Sequence, residues 1–233
     1  EIASCLVGSE MCIRDSMQTN LEVFARKKTP TIEEYQDIFG MIQNQTERLS
    51  HLSEVLLDMT GIQSVERSDS ISLAELTDEV CCDLASIADQ KKVELIQEEG
   101  DCTVTGSYLL LYRAVYNLVE NAIKYNHSGG KVTVKISQTK ALPAAHSKPA
   151  DYALVEVTDT GIGISPEYQE KIFAPFFRVD KSRSRAMGGA GLGLALVAEI
   201  ARQHGGQVKV LASSKKGSTI ALMLPINSPL IEI

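Results

Sequence analysis

The sequence lacks the features that define several broad classes of protein. No apolar run reaches the roughly 20 residues that a membrane-spanning helix needs, and no Cys-x-x-Cys pair is present. The five cysteines are an odd number and give no disulfide framework, which predicts a reducing, cytoplasmic compartment. The net charge of −7 argues against a nucleic-acid or anionic-membrane surface. With 44% hydrophobic residues, the 233-residue chain is expected to be globular with a real core.

Two common phosphate-binding motifs are also missing, since there is no G-x-x-x-x-G-K-[ST] and no G-x-G-x-x-G after a strand. A different stretch, Asp159-Thr160-Gly161-Ile162-Gly163, follows the strand-like run from Tyr152 to Val157. A carboxylate at a strand end can accept a hydrogen bond from an exocyclic amine such as adenine N6, and glycines let the backbone approach a flat ring. The stretch suggests a nucleotide-base pocket, and an Asp-Thr-Gly turn in an ordinary hairpin is the alternative.

A second segment carries two amides and a lysine at helical spacing. Steps of four and three residues place Asn117, Asn121 and Lys124 on one face of a predicted helix. Amide oxygens are hard ligands of the kind that Mg²⁺ binds, and a lysine can contact phosphate oxygens. A solvated helix face is the alternative explanation.

Two further segments have features that suit phosphates. The glycines of Gly189-Ala190-Gly191-Leu192-Gly193-Leu194 precede an apolar helix, whose first N–H groups would be exposed at its positive end. Phe173-Ala174-Pro175-Phe176-Phe177-Arg178 is followed by Lys181, Arg183 and Arg185 in a Gly-rich stretch, which we expect to close over a triphosphate. Core packing of the Phe-Pro stretch and a plain loop before a helix are the alternatives.

In this order, Asn-x-x-x-Asn, Asp-x-Gly-x-Gly, Phe-x-Pro-Phe and Gly-x-Gly-Leu-Gly resemble the nucleotide-binding domain of sensor histidine kinases. The resemblance implies an ATP-binding α+β fold of the Bergerat type: an α/β sandwich with one mixed sheet under a helical layer. It implies that Asp159 binds the adenine amine in a pocket shaped by Gly161 and Gly163, and that Asn121, with Asn117 beside it, holds Mg²⁺. Further nucleotide contacts are implied for Lys124, Tyr125, Arg178, Gly189, Gly191, Gly193 and Leu194. Thr219 resembles the last pocket motif, with a simple hairpin turn as the equal alternative.

The residue at position 117 bears on the type of reaction. ATP-hydrolysing and Ser-phosphorylating relatives have a Glu where this sequence has Asn117, and an amide cannot act as a base near neutral pH. A histidine acceptor already offers a lone pair, so histidine phosphorylation is the leading function. An ATP-binding interaction module without kinase activity, and a Ser/Thr-directed or hydrolytic relative, are the two alternatives.

Upstream of this domain the pattern predicts a helical hairpin. A helical pattern from Met17 to Lys28 ends at Pro30, and Thr31 with Glu34 forms a capping box for a long helix. The long apolar seam predicts a homodimer through this hairpin, and the family implies a response-regulator partner and a membrane-anchored parent protein. The predicted domains are a hairpin at 17–62 and an ATP-binding domain at 71–226. The sequence also predicts a polar linker from Gln63 to Ser70, a helix capped by Ser72 and Glu75, and strands from Val93 to Gln97 and from Cys102 to Thr105 around a turn at Gly100.

The resemblance also implies a phosphoacceptor histidine on the first hairpin helix, and no histidine stands at that place. We expect residues 1–16 to be a non-native leader, the hairpin to be truncated, and the chain to be unable to phosphorylate itself. His51 is the one histidine within the predicted hairpin, and it precedes Leu52 rather than an acidic residue.

Overall fold

The structure is a computed structural model that describes residues 18–19, 21–27, 30–43, 46, 65–141, 150–179 and 191–226. Among the described residues from 65 onward, three α-helices lie against one face of a five-stranded sheet. The helices are α1 (Leu73–Lys91), α2 (Tyr108–Lys124) and α3 (Gly193–Gln203). The strands are β1 (Asp69–Ser72), β2 (Glu94–Gln97), β3 (Thr103–Gly106), β4 (Lys131–Ala141), β5 (Ala150–Asp159), β6 (Gln207–Ser214) and β7 (Gly217–Pro225).

The main sheet is mixed and has the strand order β2-β4-β5-β7-β6. Strands β2 and β4 are parallel, and all other neighbours in this sheet are antiparallel. A separate antiparallel ribbon pairs β1 with β3. Strand β5 lies at the centre of the main sheet, so Asp159 at its end is flanked by strands on both sides.

Helix α1 begins where the capping pattern predicts. The hydroxyl of Ser72 accepts a hydrogen bond from the Glu75 amide at 3.3 Å, which satisfies one of the free N–H groups of the first turn. Apolar residues at a spacing of three and four then face the sheet, and the helix ends at Lys92 in the left-handed conformation with φ of 57°. One face of α1 is therefore buried and the other is polar.

Helix α2 is the central helix of the layer, since it packs against α1, α3 and the sheet. Its buried residues recur as adjacent pairs every four residues, which gives α2 one apolar face, and its other face is half-buried or exposed. The core side chains of α2 are Leu110, Leu111, Ala114, Val115, Leu118, Val119, Ala122 and Ile123. The sheet contributes alternate residues of its central strands to this core, including Val132, Val134 and Ile136 of β4 and Val155 and Val157 of β5.

The part of the upstream hairpin that the structure describes shows the predicted turn. Residues 21–25 and 32–43 are helical. The Thr31 hydroxyl accepts from the Glu34 amide at 3.3 Å, and the Glu34 carboxylate accepts from the Thr31 amide at 3.1 Å, which is the capping box. The rings of Phe24 and Tyr35 meet edge to face at 5.0 Å, so the two helical segments contact each other.

The predicted α+β class and the mixed sheet under a helical layer are confirmed. Two details of the sequence interpretation are wrong. The predicted linker from Gln63 to Ser70 contains the start of β1, and β2 and β3 do not pair around Gly100 but belong to different sheets. In the described residues, no helix is both long and apolar enough to cross a membrane. The boundaries of the predicted domains stay a prediction, and residues 1–16 and His51 lie outside the described residues.

Candidate functional site

Asp159 is placed at the end of the central strand, where its carboxylate lies against backbone donors. The Gly161 amide donates to Asp159 Oδ1 at 2.7 Å, and Asp159 is the register partner of Ser218 on β7. Burial raises the pKa of the Asp159 carboxyl, and hydrogen bonds from the Gly161 and Ser218 backbone partly offset this. A partly buried carboxylate with unused acceptor capacity can discriminate between a donor and an acceptor on a flat ligand.

Two glycines beside Asp159 stand at positions that exclude a side chain. A β-carbon on Gly161 would lie 2.4 Å from the carbonyl oxygen of Tyr125, and one on Gly163 would lie 1.8 Å from the carbonyl oxygen of Ser214. Gly163 also has a φ of 71°, a conformation that favours glycine. The Asp-x-Gly-x-Gly stretch is therefore packed between the end of α2 and the β6–β7 turn.

The amide-bearing face of α2 lies against the first residue of α3. The Asn117 side chain donates through Nδ2 to the Arg113 carbonyl oxygen at 2.9 Å, which turns its Oδ1 atom away from its own helix. A β-carbon on Gly193 would be 2.5 Å from Asn117 Oδ1 and 3.7 Å from Asn121 Nδ2. The structure thus brings the predicted metal ligands and the predicted phosphate loop together.

Lys124 and Tyr125 follow on the last turn of the same helix. The ammonium group of Lys91 donates to the Lys124 carbonyl oxygen and satisfies the end of α2. Burial, and then the charge of Lys124, lower the pKa of Lys91. The Ile162 amide donates to the Tyr125 carbonyl oxygen at 3.3 Å, so the end of α2 and the loop after Asp159 are in direct contact.

The Phe-Pro segment is bound to the start of the glycine segment. Phe176 has a φ of 63°, which is strained for a residue with a large side chain, and its amide donates to the Gly191 carbonyl oxygen at 2.9 Å. A β-carbon on Gly191 would approach the Phe177 carbonyl oxygen at 2.9 Å and Arg178 Cγ at 3.2 Å. The two sides of the predicted triphosphate-covering segment therefore meet at Gly191, and Arg178 lies at that junction.

The start of α3 has no side-chain cap. The residue before the helix, Leu192, makes no capping hydrogen bond through its side chain, which has no acceptor atom. Gly193 and Leu194 stand in this first turn, which faces the amides of Asn117 and Asn121. Such a helix start offers N–H groups and a positive dipole end to an anion.

The structure separates Thr219 from the other candidates. The Thr219 hydroxyl contacts the Thr158 hydroxyl at 3.0 Å, and this pair lies on the opposite sheet face from Asp159 and Ser218 because side chains alternate along a strand. Ser218, which is 5% exposed, stands beside Asp159 instead. The pocket role of Thr219 stays a prediction, and the strand register favours Ser218 for it. The register of β7 against β5 identifies Ser218, and the sequence does not show this register.

Most of the candidate residues thus stand around the gap between α2, α3 and the end of β5. They are Asp159, Gly161, Gly163, Asn117, Asn121, Lys124, Tyr125, Arg178, Gly191, Gly193 and Leu194. Gly189 and the basic residues Lys181, Arg183 and Arg185 lie outside the described residues. Among the described residues no three His, Cys, Asp or Glu side chains form a metal-binding cluster. The predicted Mg²⁺ ligands Asn117 and Asn121 offer amide oxygens, which fit a hard cation that also takes oxygens from a phosphate.

Sheet, helical layer and site together define a nucleotide-binding α/β sandwich. Residues 106–228, more than half of the sequence, match the family of histidine kinase-, DNA gyrase B- and HSP90-like ATPases, and the chain belongs to this family. The matched residues run from the start of α2 to beyond β7 and include every candidate residue named above.

Relatives of the chain are sensor kinases. It is 31% identical over 218 residues to the sensor histidine kinase RppB of Synechocystis sp., covering 91% of this chain and 46% of RppB. It is 35% identical over 186 residues to the sensor-like histidine kinase SenX3 of Mycobacterium tuberculosis, covering 78% of this chain and 43% of SenX3. The chain therefore spans less than half the length of these relatives. The resemblance to sensor histidine kinases that the motifs predict is confirmed.

Solved structures show the same fold. The mycobacterial sensor histidine kinase MprB matches with a TM-score of 0.54 and 29% identity, covering 68% of this chain and 97% of that structure. The histidine kinase AdeS of Acinetobacter baumannii matches with a TM-score of 0.65 and 20% identity, covering 93% of this chain and 96% of that structure, which supports the fold alone.

Proposed function

We propose that residues from β1 to β7 bind Mg²⁺-ATP and transfer its γ-phosphate to a histidine of a two-component sensor kinase. The observation that carries this proposal is the contact between Gly193 and the amides of Asn117 and Asn121. The Asn117 amide oxygen and the Asn121 side chain lie beside the start of α3, which supports the binding of a cation there together with the phosphates that it neutralises. Asp159 lies at the other side of this gap, on the central strand.

Each candidate residue then has one task. Asp159 accepts a hydrogen bond from the adenine amine. Gly161 and Gly163 leave room for the adenine ring, and Tyr125 lies against it. Asn117 and Asn121 would hold Mg²⁺, which neutralises phosphate charge when bound. Phosphate oxygens are bound by Lys124 and by the first-turn amides of α3, and Arg178 stands where charge builds up on the γ-phosphate. The histidine nitrogen forms a bond to the γ-phosphorus as the bond between that phosphorus and the β–γ bridging oxygen breaks, and ADP leaves with the bridging oxygen.

The type of acceptor follows from the absence of a base on α2. Asn117 cannot remove a proton from water or from a hydroxyl, whereas an imidazole nitrogen attacks with its own lone pair. Glu120, the nearest carboxylate in sequence, directly precedes Asn121, so the two side chains are about 100° apart around the helix. Histidine is therefore the acceptor that this site can serve without a further catalytic group.

The hairpin segment exposes apolar side chains, which support the dimer that this function requires. Several apolar side chains of residues 21–43 are exposed, namely Leu21, Val23, Ile32, Tyr35 and Phe39. We propose that a second copy of the chain covers them and that the dimer presents the histidine to the kinase domain. A response regulator then takes the phosphate, and the complete protein is a membrane-anchored sensor whose catalytic part lies in the cytoplasm.

Labelled ATP tests this function directly. The chain is incubated with [γ-³²P]ATP and Mg²⁺, with and without a second protein that carries a complete acceptor hairpin. We expect acid-labile, alkali-stable label on the second protein, and its loss in Asn121→Ala. Gln90→Ala, on the exposed face of α1, is the matched control and should label normally. Release of inorganic phosphate at the rate of ATP loss, with no labelled protein, would contradict histidine transfer.

A further inference from the structure

We propose that Asn126 and Thr160, joined through Lys131, form a clamp that fixes the adenine-reading loop against the end of α2. This inference rests on the proposed function, because it assigns two positioning residues to the same nucleotide site. Neither side chain needs to touch the nucleotide. Asn126 acts through Tyr125, which precedes it in the chain, and Thr160 acts through Gly161, which follows it.

Asn126 is buried, and both polar atoms of its amide form hydrogen bonds. It is 7% exposed. Its Nδ2 atom donates to the Lys131 carbonyl oxygen at 3.0 Å, and its Oδ1 atom accepts from the His127 amide at 3.0 Å and from the Thr160 hydroxyl at 3.2 Å. A buried polar side chain with this many partners has one allowed orientation, so it holds the chain on both sides of it.

Thr160 completes the same network from the other loop. Its hydroxyl accepts from the Lys131 amide at 2.8 Å, and its own amide donates to the Lys131 carbonyl oxygen at 3.1 Å. Thr160 stands between Asp159 and Gly161, so its backbone position sets the direction of the Asp159 carboxylate and of the Gly161 amide that binds it. Asn126 follows Tyr125 directly. The clamp therefore fixes Asp159 and Tyr125, the two residues that the proposed function assigns to the adenine ring, relative to each other.

Gly130 shows that the close approach is built into the backbone. A β-carbon at Gly130 would lie 2.1 Å from Asn126 Oδ1 and 2.9 Å from Thr160 Oγ1. An alanine there would have to displace both side chains of the clamp. The neighbouring Gly129 has open space around it but a φ of 79°, so Gly129→Ala strains the backbone of the same turn without displacing either side chain of the clamp.

A positioning role differs from a purely structural one in what its loss does to selectivity. If the clamp sets the distance between Asp159 and the adenine ring, its loss should weaken the binding of ATP more than the binding of GTP. The reason is that GTP presents a carbonyl rather than an amine to the carboxylate. A residue that only stabilises the fold would lower the melting temperature and leave the ratio of the two dissociation constants unchanged. The selectivity ratio is thus the readout that separates the two roles.

The experiment is calorimetric titration of the folded protein with Mg²⁺-ATP and Mg²⁺-GTP, using Thr160→Val, which keeps the shape and removes the hydroxyl. We expect about 5- to 30-fold weaker ATP binding, the equivalent of about 1–2 kcal/mol, and a smaller GTP/ATP selectivity. Thr160→Ser should restore both values. Thr158→Val, whose hydroxyl lies on the opposite sheet face, should bind like the unmutated protein.

Gly130→Ala and Gly129→Ala keep the test open if Thr160→Val does not fold. Gly130→Ala should reproduce the loss of affinity and of selectivity, and Gly129→Ala should not. Unchanged ATP affinity and selectivity in Thr160→Val and Gly130→Ala would overturn the clamp while leaving the proposed function intact. Failure of the unmutated protein to bind Mg²⁺-ATP would contradict the proposed function itself, and the clamp with it.

Discussion

Gly163 and Ser214 approach so closely that a β-carbon on Gly163 would lie 1.8 Å from the Ser214 carbonyl oxygen. The contact joins the loop after β5 to the turn between β6 and β7, and the Ile164 amide donates to the Ser213 hydroxyl at 2.7 Å beside it. The β6–β7 turn therefore packs against the loop after β5, on the side of the site away from the helical layer. Sequence alone assigns Gly163 to the nucleotide, whereas the structure gives it a packing task as well.

Gly163→Ala is expected to destabilise the domain more than Gly129→Ala. Both glycines have a positive φ, 71° and 79°, which costs an alanine about 1–2 kcal/mol. Gly129 has open space, whereas Gly163 must also displace backbone, which adds about 1–3 kcal/mol. Denaturant unfolding measures the difference. Equal midpoints for the two variants would show that the Gly163–Ser214 contact relaxes without cost.

Ser218 and Thr219 are expected to differ in their effect on ATP binding. Ser218 lies beside Asp159 with its hydroxyl 3.0 Å from the Ser213 hydroxyl, and Thr219 points to the other sheet face. Ser218→Ala should weaken ATP about 5-fold or more, because a polar group next to the carboxylate is lost. Thr219→Val should bind within about twofold of the unmutated protein. The reverse order of affinities would restore Thr219 to the pocket.

The fold was largely predictable because its local signals agree with its tertiary contacts. The capping residues Ser72 and Glu75 mark the start of α1, and the spacing of apolar residues predicts α2 over nearly its full length. Alternation from Lys131 to Gln138 predicts β4, and the strand-like run from Tyr152 to Val157 predicts β5. These signals depend on residues close in sequence, so they can be recognised without knowing which elements pack against each other.

The errors arose where pairing is decided at long range. Strands β2 and β3 stand on either side of Gly100 and suggest a hairpin, but β2 pairs in parallel with β4 and β3 pairs with β1. Strand β1 is short and polar, so its sequence resembles a linker. Ser218 was missed for a related reason, since only the register with β5 shows which of two adjacent hydroxyl residues shares a face with Asp159.

The stability of the domain is expected to fall in mild acid through His204. Its Nε2 atom accepts from the Ser107 amide at 3.1 Å, and its Nδ1 atom contacts the Ile200 carbonyl oxygen at 2.8 Å, so the ring is neutral. Burial lowers the pKa of His204 from its usual 6.5, with a smaller contribution from the charge of Arg67. The unfolded chain therefore binds a proton at higher pH than the folded one, and stability is lost as pH falls below about 6.5.

Urea unfolding between pH 7.5 and 5 measures this loss. His204→Gln should be less stable at pH 7.5 and should show a flatter dependence on pH. His127→Gln is the control, because His127 is exposed in the turn after α2, and it should keep the pH dependence of the unmutated protein. An identical slope in His204→Gln would place the acid sensitivity elsewhere.

Calorimetric titration of Mg²⁺-ATP into the unmutated protein, Asp159→Asn and Asp151→Asn tests the central claim most directly. The amide at position 159 can present an N–H where the adenine amine needs an acceptor, and a wrongly paired buried hydrogen bond costs about 1–3 kcal/mol. We expect ATP to bind Asp159→Asn about 5- to 150-fold more weakly, and to bind Asp151→Asn, at the exposed start of β5, as it binds the unmutated protein. Equal affinities for Asp159→Asn and the unmutated protein would contradict the assignment of this carboxylate, and of this site, to adenine.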